Sequence, residues 1–269
     1  MLALIIQTVK KSKWSIVGYT LAAAVMVWLL VTIYPSISTQ GEELRKAFES
    51  YPAAIFEAFG IDMEGFFATL EGYLGGEQYS MTWPIILIML VASFGGGALA
   101  GEIERGTIGI LLSQPLSRIK LFLGKYLAGL VVILTYVFAS ILVVVPAAEI
   151  YDVSYRFQNH LTLAILGSLF ALALFGITMM FSAFFSERGK VTLFSAGLFM
   201  LMYFLNVLAN LKESLVNLKY LSLFHYFDYG KALLENRIEP LTIAVLLGVG
   251  VIGTLVGLVW FNHRDIAAS

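Results

Sequence analysis

Residues 121–147 read LFLGKYLAGLVVILTYVFASILVVVPA, with Lys125 as the only charged side chain. About 20 apolar residues cross the ~30 Å hydrocarbon core of a bilayer as an α-helix. The run is continuous and lacks the period-two alternation of a barrel strand. A helix also pairs all of its own backbone polar groups, as lipid requires. Lys125 stands near the start of the run, where its long stem can snorkel to the surface.

Working outward, five further apolar runs have comparable length. The expected spans are residues 14–34, 84–100, 121–147, 161–185, 191–210 and 241–261 of one all-α transmembrane domain covering 1–269. Composition agrees: 59% of the chain is hydrophobic and 13% is charged. Ordinary soluble domains are about 45–50% apolar and about 25% charged. Lys10, Lys11 and Lys13 before the first run resemble a signal peptide. A signal core is about 7–15 residues, however, so the run reads as an uncleaved first helix.

Basic residues set the expected orientation. With the N-terminus inside, ten of the 17 Lys and Arg lie on the cytoplasmic side: Lys10, Lys11, Lys13, Arg105, Arg118, Lys120, Lys125, Arg188, Lys190 and Arg264. Those segments total about 50 residues against about 90 outside, a bias that matches the positive-inside rule. Of the 18 acids, Glu102, Glu104, Glu187 and Asp265 fall inside. Both termini are then cytoplasmic. Trp14 and Trp260 are expected as inner interfacial anchors, Tyr34 and Trp83 as outer ones.

Two outer segments are long. Residues 35–83 carry eight acids against Arg45 and Lys46, and fit a small helical cap and a solvated linker equally well. Residues 211–240 are apolar for a loop and contain Phe224, Tyr226, Phe227 and Tyr229, which suits a re-entrant segment.

Several chemistries are excluded. There is no cysteine, and His160, His225 and His263 have no metal-binding spacing, so no metal or cofactor is expected. Gly-Lys occurs at 124–125, 189–190 and 230–231, followed by Tyr126, Val191 and Ala232 and never by Ser or Thr. No P-loop is present, so the chain is expected not to be an enzyme. Away from their ends the spans lack the ionisable residues that ion-coupled carriers use. A net charge of −1 implies no attraction to nucleic acid.

Between the second and third runs, residues 101–125 read GEIERGTIGILLSQPLSRIKLFLGK. Glu102 and Glu104 end a helix, Gly106 permits a change of direction, and Thr107 is placed to cap a short helix. Ile108, Ile110, Leu111 and Leu112 give that helix an apolar surface. Pro115 ends it, and Ser117, Arg118 and Lys120 open the next one. Read physically, this element is a docking surface or an interfacial helix.

The segment resembles the signature of the type-2 ABC transporter permeases: E-x-E-x-G-T, then Leu-Leu, P-x-S-R and a following Lys. It matches at Glu102, Glu104, Gly106, Thr107, Leu111, Leu112, Pro115, Ser117, Arg118 and Lys125. The resemblance implies the permease subunit of an ABC exporter in the cell membrane, paired as a homo- or heterodimer. ATP and magnesium would be held by a separate ATPase, docked on a coupling helix at 106–116. It also implies an amphipathic connecting helix at LALIIQTVKKSK. Non-transporting sensors or assembly subunits on the same scaffold are the alternative. A lipid-modifying enzyme is a third reading, which lacks the acid, His and Arg cluster it would need.

Smaller features have two readings each. Gly97-x3-Gly101 and Gly253-x3-Gly257 allow close helix approach within the chain or between copies. Asn206 and Asn210 suit an interhelical hydrogen bond or a substrate path. Glu187, Arg188 and Lys190 suit a topological anchor or a second ATPase contact.

Overall fold

The computed structural model describes residues 1–48, 52, 56, 58, 61, 63–113 and 116–265. Pro115 and much of the acidic segment between 49 and 62 lie outside the described residues. No strand occurs among the described residues. An amphipathic helix α1 (Leu2–Lys11) leads into α2 (Lys13–Thr39). The other principal helices are α3 (Thr82–Ala98), α4 (Ile108–Leu112), α5 (Arg118–Leu142), α6 (Phe157–Phe184), α7 (Arg188–Leu211) and α8 (Pro240–His263).

Five helical stretches are long and apolar enough to cross a membrane: α2, α5 with its continuation to Ile150, α6, α7 and α8. A sixth is formed if Leu70–Tyr79 and α3 act as one span bent by 46°. The bend follows a π-helical turn, Gly75–Tyr79. Such turns break the regular hydrogen-bond ladder and are a recognised cause of kinks.

Helix α6 is the axis of the bundle, and about two thirds of its apolar window is buried. It packs against α8 through glycine. A Cβ on Gly176 would lie 2.3 Å from the Gly250 carbonyl oxygen, and one on Gly253 would lie 2.8 Å from Gly176. Gly257 meets the Met180 backbone in the same way. Small residues let backbones approach where lipid supplies no hydrophobic drive between helices. Of the two glycine pairs expected to mediate close packing, 253/257 therefore does so within the chain. Gly97 meets nothing within 4 Å.

Trp83 is not the interfacial anchor the sequence suggests. It is fully buried, with its indole N–H donating to Ser140 Oγ at 2.8 Å. Its ring stacks on Tyr136 at 5.6 Å and on Phe227 at 5.4 Å. Tyr34 is buried as well. A satisfied N–H and aromatic partners on both sides hold Trp83 inside, each ring pair contributing about 0.5–1.5 kcal/mol beyond area burial. Trp14 and Trp260 remain exposed.

Phe227 belongs to the segment after α7, which is built from a 3-10 helix (Glu213–Leu221) and two short helices (Leu223–Tyr226 and Tyr229–Leu234). Phe227 also stacks on Phe170 of α6 at 4.7 Å. Leu223, Phe224, Ala232 and Leu233 are buried with it, so the segment is part of the core at this end.

Gly176→Ala is expected to lower stability by about 1–3 kcal/mol through overpacking. Gly197→Ala, which meets nothing within 4 Å, should change it by less than about 1 kcal/mol. Thermal unfolding of the two purified variants in detergent compares them directly.

Candidate functional site

The 101–125 segment folds around one carboxylate. Glu102 lies in the short helix Ala100–Glu104 that follows α3, and it is buried. Three features of the backbone place it. Leu99 and Ala100 donate their N–H groups to Ser182 Oγ of α6, each at 3.2 Å. Gly106 adopts φ +68°, the left-handed geometry that glycine tolerates best, and turns the chain into α4. Ser117 caps α5, accepting the Lys120 N–H at 3.3 Å.

Glu102 then gathers cations from separate elements. Lys125 Nζ of α5 donates to it at 2.8 Å. Lys11 of α1 lies 3.8 Å away and Arg105 3.7 Å away. Lys125 is therefore not snorkelled to the surface; it is buried, because a partner carboxylate waits inside. Thr107 departs from expectation in a related way. Its side chain makes no cap to α4, and its hydroxyl donates instead to the Glu102 carboxylate and, at 3.2 Å, to the Glu102 carbonyl.

Burial by itself would raise the Glu102 pKa. The hydrogen bonds from Lys125 and Thr107, with the charges of Lys125 and Lys11, outweigh it and hold the carboxyl below its ordinary range.

Glu104 faces outward and accepts the Arg188 backbone N–H at 2.9 Å, tying this turn to the start of α7. The Arg188 guanidinium donates to Ser93 Oγ at 3.1 Å. Arg118 donates to the Arg264 carbonyl. Arg264 in turn donates to the carbonyls of Ala183 at 2.8 Å and Phe185 at 3.0 Å, and to Ser186 Oγ. A cation on the free carbonyls at the end of α6 is the expected cap.

On α4, Ile108 is buried, Leu111 is half-buried and Ile110 is 66% exposed. Leu112 closes the helix, its side chain lying outside the described atoms. Across a cavity of about 160 Å³, α4 faces Leu4, Gln7 and Thr8 of α1.

The structure thus brings Glu102, Thr107 and Lys125 into one cluster and sets Glu104 and Arg118 on neighbouring ties. Sequence reasoning missed Lys11 and Arg264. The nearest signal was an acid and a lysine at facing ends of two consecutive spans. Asn210 donates to the Ala58 carbonyl at 3.3 Å, one of the two roles open to it.

These features define a polytopic helical membrane protein with a buried polar joint where α1 and the turn between two spans meet. The family model described as ABC-2 family transporter protein matches residues 7–266. The chain belongs to that family, and it is a transmembrane component of an ABC transporter. No curated relative matches it.

Removing Lys125 leaves a buried carboxylate short of its closest partner. Lys125→Met should destabilise the protein by about 3–5 kcal/mol, and Glu102→Gln combined with Lys125→Met should recover most of that loss. A depressed folded pKa contributes stability above the ordinary carboxylate value of about 4.3, lost as pH falls through the folded value. The acid limb of a stability–pH curve should therefore flatten in Glu102→Gln.

Proposed function

We propose that this chain is the permease subunit of an ATP-driven exporter in the cell membrane, with both termini cytoplasmic. Two permeases, identical or related, form the translocation path. A separate ABC ATPase holds ATP and magnesium and drives the pair.

The observation that carries this reading is the mounting of α4. The helix is short, offers an exposed Ile110, and hangs from a turn braced against α1 and α5 through Glu102 and against α6 through Ser182. An exposed apolar element on a rigid mount suits docking, and force on it reaches α3, α5 and α1 together. In this reading Glu102, Thr107 and Lys125 are the joint and Gly106 is its hinge. Leu111 and Leu112 belong to the contact helix. Ser117 and Arg118 start the driven span, while Glu104 links the joint to α7. The exposed apolar faces of α2 and α7, with Leu21, Leu29, Leu193, Leu201 and Phe204, suit lipid or the second permease.

Coexpression with the cognate ATPase should yield a stable complex that exports cargo from vesicles. Leu111→Asp sets an unpaired carboxylate in the docking face and should cut ATP-driven export at least about tenfold; Gly106→Pro should do the same. Transport by this chain alone on an ion gradient, or unchanged export in both variants, would refute the reading. The chain has no cysteine, which makes labelling clean. Ser113→Cys should react with an impermeant maleimide only from the cytoplasmic face, and Ser154→Cys only from outside.

A further inference from the structure

Beside the Glu102 joint lies a second cavity, of about 180 Å³, lined by α1, α2, α3, α5 and the start of α7. Its charged lining is Lys11, Arg105, Lys125, Arg188 and Glu102. Four cations face one carboxylate, which Lys125 meets at 2.8 Å and Arg105 and Lys11 at 3.7 and 3.8 Å. Glu104 lies outside the lining and is exposed, engaged with the Arg188 backbone. One carboxylate shared among four cations leaves the lining with a net positive charge of three. Hydroxyl groups of Ser12, Ser15, Tyr19 and Ser93 add possible donors. The remaining wall is apolar, formed by Leu90, Phe94, Ala98 and Val132.

The neighbouring helix fixes where this space sits relative to a membrane. Leu4 of α1 packs on α5 at Gly124, where a Cβ would come within 2.7 Å of the Leu4 side chain. That anchors the inner face of α1. Leu2 and Ile6 on its other face are exposed, as is Trp14 in the first turn of α2. An amphipathic helix with exposed aliphatic residues and a flanking exposed Trp lies at the headgroup level. Thr8 and Lys11 of that helix, with Ser12 and Ser15 beside Trp14, line the cavity, so its cationic lining stands at that same depth.

We infer that this cavity binds the phosphate group of an anionic membrane lipid, held between Lys11, Arg105 and Arg188 with its glycerol end against Phe94 and Leu90. Arginine and lysine provide charge-assisted hydrogen bonds to phosphate oxygens. The lipid would brace α1 against the Glu102 joint. The inference is independent of which face of the membrane is cytoplasmic, and of whether an ATPase docks on α4.

The full chain, purified in detergent, is titrated with phosphatidylglycerol, phosphatidylcholine or inorganic phosphate, and bound lipid is read by native mass spectrometry. One phosphatidylglycerol per chain should be retained, in preference to phosphatidylcholine, whose choline cation the cluster repels. Lys11→Gln with Arg188→Gln should weaken retention about tenfold or more. Gly97→Leu fills the cavity from a position with free space and leaves every charge in place, so it should block binding too. Lys10→Gln removes one charge from the same helix outside the lining, and should have little effect. Equal loss in Lys10→Gln would mean general surface attraction and overturn the site. So would retention unchanged in the double variant and in Gly97→Leu. Displacement by millimolar inorganic phosphate would overturn the lipid as ligand in favour of a free anion.

Discussion

The buried carboxylate of Glu102 ties together the elements that meet at its end of the bundle. Burying Glu102 without a partner would cost several kcal/mol, so each element that supplies a cation is drawn to it. Lys125 fixes the register of α5 against the turn after α3, and Lys11 brings α1 alongside. Thr107 closes the turn from the other side. A buried pair of this kind adds little net stability, because desolvation cancels much of the Coulomb gain. Its effect is to make separation of these elements costly, so that they shift as a unit.

Stability in the rest of the membrane region comes from contacts of another kind. Lipid is as apolar as the side chains, so helices gain from close packing more than from burial. The glycine faces of α6 and α8 let two backbones touch. At the opposite end of the bundle from Glu102, stacked rings of Tyr136, Trp83, Phe227 and Phe170 bind the segment after α7 to the core. Asn159 secures the same segment by donating to the Leu233 carbonyl at 2.6 Å. Polar joints thus stand at the ends of the bundle, with small-residue packing between them.

This division suits a machine worked from one end. A rigid middle transmits displacement without absorbing it, since packed interiors are close to incompressible. The joint at Glu102 connects the turn that carries α4 to α1 and α5. A lipid phosphate beside Lys11 would add bilayer composition to the forces acting on that joint.

Much of this was legible in the chain itself. Apolar runs of bilayer length dictate helices, because no other open structure satisfies its backbone in lipid. Gly106 marks a turn because its φ is open to few other residues, and Ser117 marks a helix start because its oxygen can accept a free N–H. Those are local rules, and a local window contains their causes. The fate of Lys125 and Trp83 was not local. Each sits where a tail or ring would normally reach for the interface, and each instead meets a partner distant in sequence: Glu102 for Lys125, Ser140 and Phe227 for Trp83. Only the tertiary structure brings those partners within reach, and the cost of leaving a buried polar atom unpaired then overrules the local preference.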